Sequence, residues 1–298
     1  MNSATRTQSF FLRQLVTLRT DRYRRVVARI ALYLFAAAFF TAYVLPLVWA
    51  LSTSLKSEPQ VYRVPPIWIP NPMVWKNYPE ALTRVPFGRY ILNTLKIAVP
   101  VVFGAVLSNA IVAYGFARLR WRYRDLFFYI CIATMMIPFQ VTMIPLFITF
   151  TKLNWVNTFL PLIVPAFFAN PWNTFLLRQF FLTIPQELSD AARVDGCSEW
   201  GILFRIILPL SVPALAVVAL FNFMGAWNDY LGPLIYLNRD ELYTVSIGLS
   251  RFQASEHTSA RWPWLMAATV VTITPVLVLF FFAQRTFIEG ITLTGIKG

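Results

Sequence analysis

Long apolar runs separated by short polar segments dominate the chain. Six of them reach about 20 residues, the length that carries a helix across ~30 Å of hydrocarbon. They are Ile30 to Leu51, Ile91 to Phe116, Leu126 to Phe150, Phe159 to Phe181, Leu210 to Leu237 and Trp264 to Ala283. No ten-residue alternation of apolar and polar positions occurs, so the pattern predicts an all-α integral membrane protein with six transmembrane helices and argues against a barrel. Composition agrees, because a chain that is 57% hydrophobic and 13% charged lacks the polar surface to cover a water-soluble globule. Pro138, Pro145, Pro161, Pro165 and Pro171 all fall between Leu126 and Phe181. Each removes a backbone donor, so kinks or breaks are expected there.

The net charge of +13 lies in residues dispersed at the ends of apolar runs, which speaks against a nucleic-acid surface and for membrane topology. The first tail, residues 1–29, holds Arg6, Arg13, Arg19, Arg22, Arg24, Arg25 and Arg29, and the link after the second run holds Arg118, Arg120, Arg122 and Arg124. The positive-inside rule puts both in the cytoplasm, and an even number of spans puts both termini there. The expected organisation is a basic tail 1–29, a transmembrane domain 30–284 and a cytoplasmic tail 285–298. No A-x-A-like site follows the first apolar run, which reads as a retained helix. The first external segment, Ser52 to Tyr90, carries Lys56, Arg63, Lys76, Arg84 and Arg89 against the rule, while Trp68 and Trp75 suit a membrane interface. Cys131 and Cys197 offer neither a disulfide framework nor metal-ligand spacing. His257, the single histidine, falls in the external segment Asn238 to Pro263 and reads as solvated.

The loop between the fourth and fifth runs, 183–209, carries the most information. Thr183 and Gln186 have capping-box spacing, Pro185 suits a first helical turn, and Gly196 supplies a left-handed stop. Ser198 then caps a second helix expected to end ahead of Pro209. Leu188, Ala191 and Ala192 fall on one face of the first helix, and Trp200, Leu203, Phe204 and Ile207 form an apolar stripe on the second. Glu187, Asp190 and Asp195 give a negative rim. Such a surface fits a docked protein or the chain's own bundle.

Asp190-Ala191-Ala192, three residues, Gly196, nine residues, then Ile206-x-Leu208-Pro209 resembles the EAA loop (EAA-x3-G-x9-I-x-L-P) of permease subunits of bacterial ABC importers. The one departure is Asp190 for Glu, which keeps the charge. The fuller run from Ile184 to Ser198 is similar to the carbohydrate branch of that family, as are Ala226-Trp227-Asn228-Asp229-Tyr230-Leu231, the tail from Gly290 to Gly298 and Ser54-Leu55-Lys56. Length and tail resemble the six-span permease of the maltose system. The resemblance implies a type I importer permease fold, with Glu187, Leu188, Asp190, Ala191, Ala192, Asp195, Gly196 and Trp200 coupling the chain to a cytoplasmic ATPase dimer. It also implies a second homologous permease, an extracytoplasmic solute-binding protein, residence in the bacterial cytoplasmic membrane, and sugar import by alternating access. Glycerol-3-phosphate or a glycerophosphodiester is the alternative solute, and an ion-coupled secondary carrier a more distant one.

No G-x-x-x-x-G-K-[ST] sequence occurs and none of the five lysines follows a glycine, so ATP and Mg belong on a partner chain and this chain is expected to bind no cofactor. Without an H-E-x-x-H or Cys/His cluster, an enzyme site has little support. Asp229 is the clearest ionisable residue within a predicted span, with Lys96 a second. Asn222 and Asp229 would share a helical face that, with Trp227 and Asn228, lines a polar route or bonds helix to helix.

Overall fold

The computed structural model describes residues 4–253 and 261–295, and every regular element among them is a helix. Labelled in order, the principal ones are α1 (Ala4–Ser54), α2 (Asn77–Arg84), α3 (Phe87–Ala117), α4 (Arg124–Ala133), α5 (Phe139–Lys152), α6 (Pro171–Thr183), α7 (Gln186–Val194), α8 (Glu199–Ile202), α9 (Val212–Asn228), α10 (Leu231–Tyr236), α11 (Val245–Gln253) and α12 (Trp262–Gly295). Val26–Ser54, Phe87–Ala117, Leu160–Thr183 and Trp262–Gln284 are each long and apolar enough to cross a membrane. Two bent pairs bring the number to six when each is taken as one span: Arg124–Met136 with Phe139–Lys152, and Glu199–Leu210 with Val212–Asn228.

The proline-rich middle is more broken than the apolar pattern suggests. The third predicted span turns by 95° between Met136 and Phe139. Ile137 there is extended (φ −82°, ψ 112°), because Pro138 disfavours helical backbone in the residue before it. The fourth is interrupted after a 3₁₀ turn at Val164–Phe167 and restarts at Pro171, where the Asn170 side chain accepts the N–H groups of Trp172 and Asn173. Backbone groups freed inside a membrane need protein partners. Here α3 provides them: Asn109 Oδ1 accepts from the Asn170 N–H at 2.8 Å and the Thr174 hydroxyl at 2.9 Å, and the Ser108 hydroxyl donates to the Ala166 carbonyl at 3.1 Å. Gly104 makes this approach possible, since a Cβ at that position would lie 2.6 Å from the Phe167 ring.

α1 runs unbroken from Ala4 past residue 30, and α12 runs unbroken past residue 284. One further expectation changes. The fifth span, expected from Leu210 to Leu237, ends as a helix at Asn228, and Asp229 is extended (φ −63°, ψ 119°). His257 and the last residues of the tail, 296–298, lie outside the described residues.

α3 is the spine of the bundle. Its C-terminal part enters one buried cluster with Leu177, Phe181, Ile202, Leu203, Ile207 and Val218 through Ala110, Ala113, Tyr114 and Ala117. Its N-terminal part enters a second through Phe87 and Tyr90, which pack with Ala81, Val245, Leu265 and Ala268. Small residues at 110, 113 and 117 let α6 and α9 approach closely, the packing that membrane helices use in place of a hydrophobic drive. The segment after α1 is tied down by Asn77, whose Nδ2 donates to the carbonyls of Ser54 and Lys56, both at 2.8 Å. The Lys56 ammonium is buried and sits 3.8 Å from the Trp49 ring centre.

Candidate functional site

The loop 183–209 folds into a helical hairpin. α7 opens at Gln186 behind Pro185, and Thr183 does not cap it: the Thr183 hydroxyl turns back to the Phe180 carbonyl at 2.7 Å and finishes α6. Glutamine at 186 is drawn instead to Arg118, whose Nη1 donates to its Oε1 at 2.8 Å. Gly196 takes φ +80° as expected, and the Ser198 hydroxyl accepts the Gly201 N–H at 3.2 Å to cap α8. The second helix does not stop before Pro209. It widens into a π turn over Leu203–Ile207 and continues through Leu208–Leu210, where Pro209 sits among the first positions and has no N–H to lose.

The hairpin has an inner and an outer face, divided differently from the sequence expectation. Ser189, Ala192, Ile202, Leu203 and Ile207 are buried against α3, α6 and α9. Leu188, Ala191, Val194, Trp200 and Phe204 are exposed, with Val194 at 88% and the Trp200 and Phe204 rings stacked at 6.2 Å. The expected stripe of Trp200, Leu203, Phe204 and Ile207 is thus split, because the π turn rotates the residues beyond Ile202 away from α-helical register. Ala192 likewise leaves the face of Leu188 and Ala191 and supports the hairpin from inside. Glu187, Asp190 and Asp195 are exposed beside the apolar patch.

Polar groups clamp the hairpin to the end of α3. The Tyr114 hydroxyl donates to Glu199 Oε2, Arg193 Nε donates to Glu199 Oε1 at 2.7 Å, and Arg193 Nη1 to Asp190 Oδ1 at 2.7 Å. Arg118, the C-cap of α3, also gives Nη2 to the Ile184 carbonyl at 2.7 Å. Arg178 Nε donates to the Phe116 carbonyl at 3.2 Å, which brings its guanidinium group to the carbonyl end of this helix, where the macrodipole favours positive charge. The Arg193 guanidinium, joined by the Tyr114 hydroxyl, outweighs desolvation and holds the Glu199 carboxyl below its usual range. Tyr114, Arg193 and Glu199 were not singled out by the sequence, and Arg118 only as a topological charge, since the contacts of the clamp bridge up to 85 positions.

The residues expected on a polar route do not share one face. Asn222 Nδ2 donates to Val218 O at 2.8 Å and Asn228 Nδ2 to Met224 O at 2.9 Å, both within α9. Trp227 is 1% exposed, stacked on Phe223, with its indole N–H donating to Thr272 O of α12 at 3.2 Å. Asp229, beyond the helix end, accepts the Gly232 N–H at 3.0 Å and caps α10. Among the described residues, no group of three or more His, Cys, Asp or Glu side chains is arranged to hold a metal ion.

Residues 105–292 match the family described as binding-protein-dependent transport system inner membrane component. The arabinooligosaccharides transport system permease protein AraQ of Halalkalibacterium halodurans is 36% identical over 89% of this chain and 94% of its own length. The sn-glycerol-3-phosphate transport system permease protein UgpE of Yersinia enterocolitica is 31% identical over 83% of this chain and 89% of its own. In three dimensions the chain superposes on a chain of a bacterial ABC transporter that imports the acidic polysaccharide alginate, with a TM-score of 0.78 and 24% identity, covering 90% of this chain and 98% of that one.

Proposed function

The chain belongs to the family of binding-protein-dependent transport system inner membrane components, the permease subunits of ABC importers, and from that premise we propose that its outer hairpin face is where an ATPase subunit docks. The observation that carries this reading is the exposed patch of Leu188, Val194, Trp200 and Phe204, rimmed by Glu187, Asp190 and Asp195, on a hairpin that is itself clamped to α3. An exposed aromatic pair beside carboxylates suits a groove with an apolar floor and arginines at its edge. Gly196 and the buried Ala192 shape the hairpin from within. The chain is a transport subunit and not itself an enzyme, so ATP and Mg sit on the docked subunits, and closure of an ATPase dimer drives alternating access in a pair formed with a second, homologous permease.

In this arrangement the hairpin, the link 118–123 and both termini face the cytoplasm, and the segments 55–86 and 238–261 face outward, toward a solute-binding protein. The solute we propose is a sugar or oligosaccharide, as the arabinooligosaccharide relative suggests. Glycerol-3-phosphate is the second reading, favoured by the 31% identity to a permease named for it. Asn222, Asn228 and Asp229 remain candidates for a wall of the path only where a partner chain completes it.

The docking reading is tested by Val194→Asp and Trp200→Ala in the purified assembly. Both are expected to leave the chain in the membrane with its partner permease and to lose the ATPase on co-purification. Retention of the ATPase at wild-type stoichiometry by both variants would sink the assignment.

A further inference from the structure

α3 is held by polar side chains at both of its ends, and the two grips attach to opposite faces of the protein. At the inner end, Tyr114 holds Glu199 and Arg118 holds Ile184 and Gln186, so both arms of the hairpin are bonded to one helical turn. At the other end, Asn93 Nδ2 donates to the carbonyls of Glu241 at 2.7 Å and Tyr243 at 3.0 Å, and Thr94 Oγ1 accepts the Val245 N–H at 3.0 Å. Arg251, paired with Asp240 at 2.7 Å, also donates to the Tyr90 hydroxyl at 3.3 Å. Positions 94 and 114 are 20 residues apart, which at 1.5 Å per residue is about 30 Å of helix, the thickness of the hydrocarbon core.

From this geometry we infer that α3 is the rod that carries movement between the ATPase-side hairpin and the external segment Asp240–Gln253. The inference rests on the docking reading above and adds the route by which docking is felt on the other face. Bonds of this kind suit transmission. Each grip joins a side chain of α3 to backbone or charged groups of the neighbouring segment, beside the apolar packing of the same stretches, so the attached segments follow when the helix is displaced. The physical test of the rod is whether both ends bias one two-state element. Tyr114, Asn93 and Thr94 act as positioning residues in this scheme, with no contact to solute or nucleotide required of them.

The test uses the assembled complex in nanodiscs, in a background lacking Cys131 and Cys197. Two reporters are placed at exposed positions outside the bonded atoms and outside the docking patch, Arg205→Cys on the hairpin and Glu241→Cys on the external segment. Reaction rates with a water-soluble maleimide are compared without nucleotide and after trapping with ATP and vanadate. In the otherwise unmodified chain both rates should change several-fold on trapping. With Tyr114→Phe and Glu199→Gln together, or with Asn93→Ala and Thr94→Val together, the hairpin reporter should still respond while the external response falls by at least half. Thr94→Ser, which keeps the hydroxyl, should restore the external response when Asn93 is intact. An undiminished external response in either double variant would overturn the inference and leave the docking reading standing. A silent hairpin reporter in the unmodified background would overturn the docking reading, and the inference with it.

Discussion

Replacing Gly196 with alanine isolates the conformational demand of the hairpin from its packing. Gly196 has φ +80°, and a Cβ built there meets nothing within 4 Å, so the substitution introduces no clash. What remains is the backbone penalty of a left-handed L-residue, about 1–2 kcal/mol. Reduced freedom of the alternative loop conformations offsets about 0.4–1 kcal/mol of that. The net cost is about 1 kcal/mol, or roughly a fivefold fall in the ratio of folded to open hairpin. Membrane insertion does not depend on this turn, so the loss should appear as weaker binding of the cognate ATPase, measured by titrating it onto nanodiscs that hold the permease pair. Asparagine tolerates the left-handed region better, and Gly196→Asn should recover most of the affinity. Proline at this position should abolish docking, because its φ is fixed near −65° and the Gly196 N–H bond to Arg193 O at 3.0 Å disappears. Equal affinity for Gly196→Ala and the unmodified chain would refute the argument that the hairpin must be preformed to dock.

Asp229→Asn keeps an oxygen that can accept the Gly232 N–H, so assembly and uptake should stay near wild type, whereas Asp229→Ala should lose about 1 kcal/mol of cap and lower the thermal midpoint of the complex. Abolished uptake by Asp229→Asn at equal protein level would instead place the charge in the transport path. The ion pair of Glu199 with Arg193 gives a pH test. Because the folded carboxyl is held below its ordinary value, its contribution is complete above the unfolded glutamate pKa of ~4.3 and is lost only as pH falls through the lower folded value. Maleimide-independent probes of the hairpin, such as hydrogen exchange of α7 amides, should therefore be flat from pH 8 to about 5 once corrected for intrinsic exchange, and a transition near neutrality would contradict the assignment. In intact cells, single cysteines at Glu80 and His257 should label with an impermeant reagent and those at Arg24 and Arg122 should not, and labelling at either arginine position would reverse the topology.

The spans were legible because apolar length is a property of each segment alone. The loop was legible because Gly196 and Ser198 act on their immediate neighbours, and both do what local chemistry predicts. Thr183 was misread for a related reason: two elements compete for the same residue, and the end of α6 wins it. The split of the apolar stripe depends on a π turn, which shifts register without leaving a signature in hydrophobic spacing. Asp229 stands out in the sequence as a charge in a continuous apolar run, but that run hides the end of the helix one residue earlier and the bond of the carboxylate to the next helix. The clamp of Tyr114, Arg118, Arg193 and Glu199 needed the tertiary fold, since no local pattern pairs a tyrosine in one span with a glutamate two spans later.

The break at Phe168 to Asn170 has a bearing on how the chain is made. Until Asn109 and Ser108 accept and donate across to it, the segment Leu160–Thr183 carries backbone groups that lipid will not take. It is thus ill suited to leave the translocation channel on its own, while α3, synthesised earlier and continuous except for the donor missing at Pro100, can precede it into the bilayer. Insertion becomes an ordered event in which an earlier span acts as an intramolecular chaperone for a later one. A chain with leucine at 109 would still be translated at full length, and its fourth span would be left exposed to the quality-control proteases of the membrane.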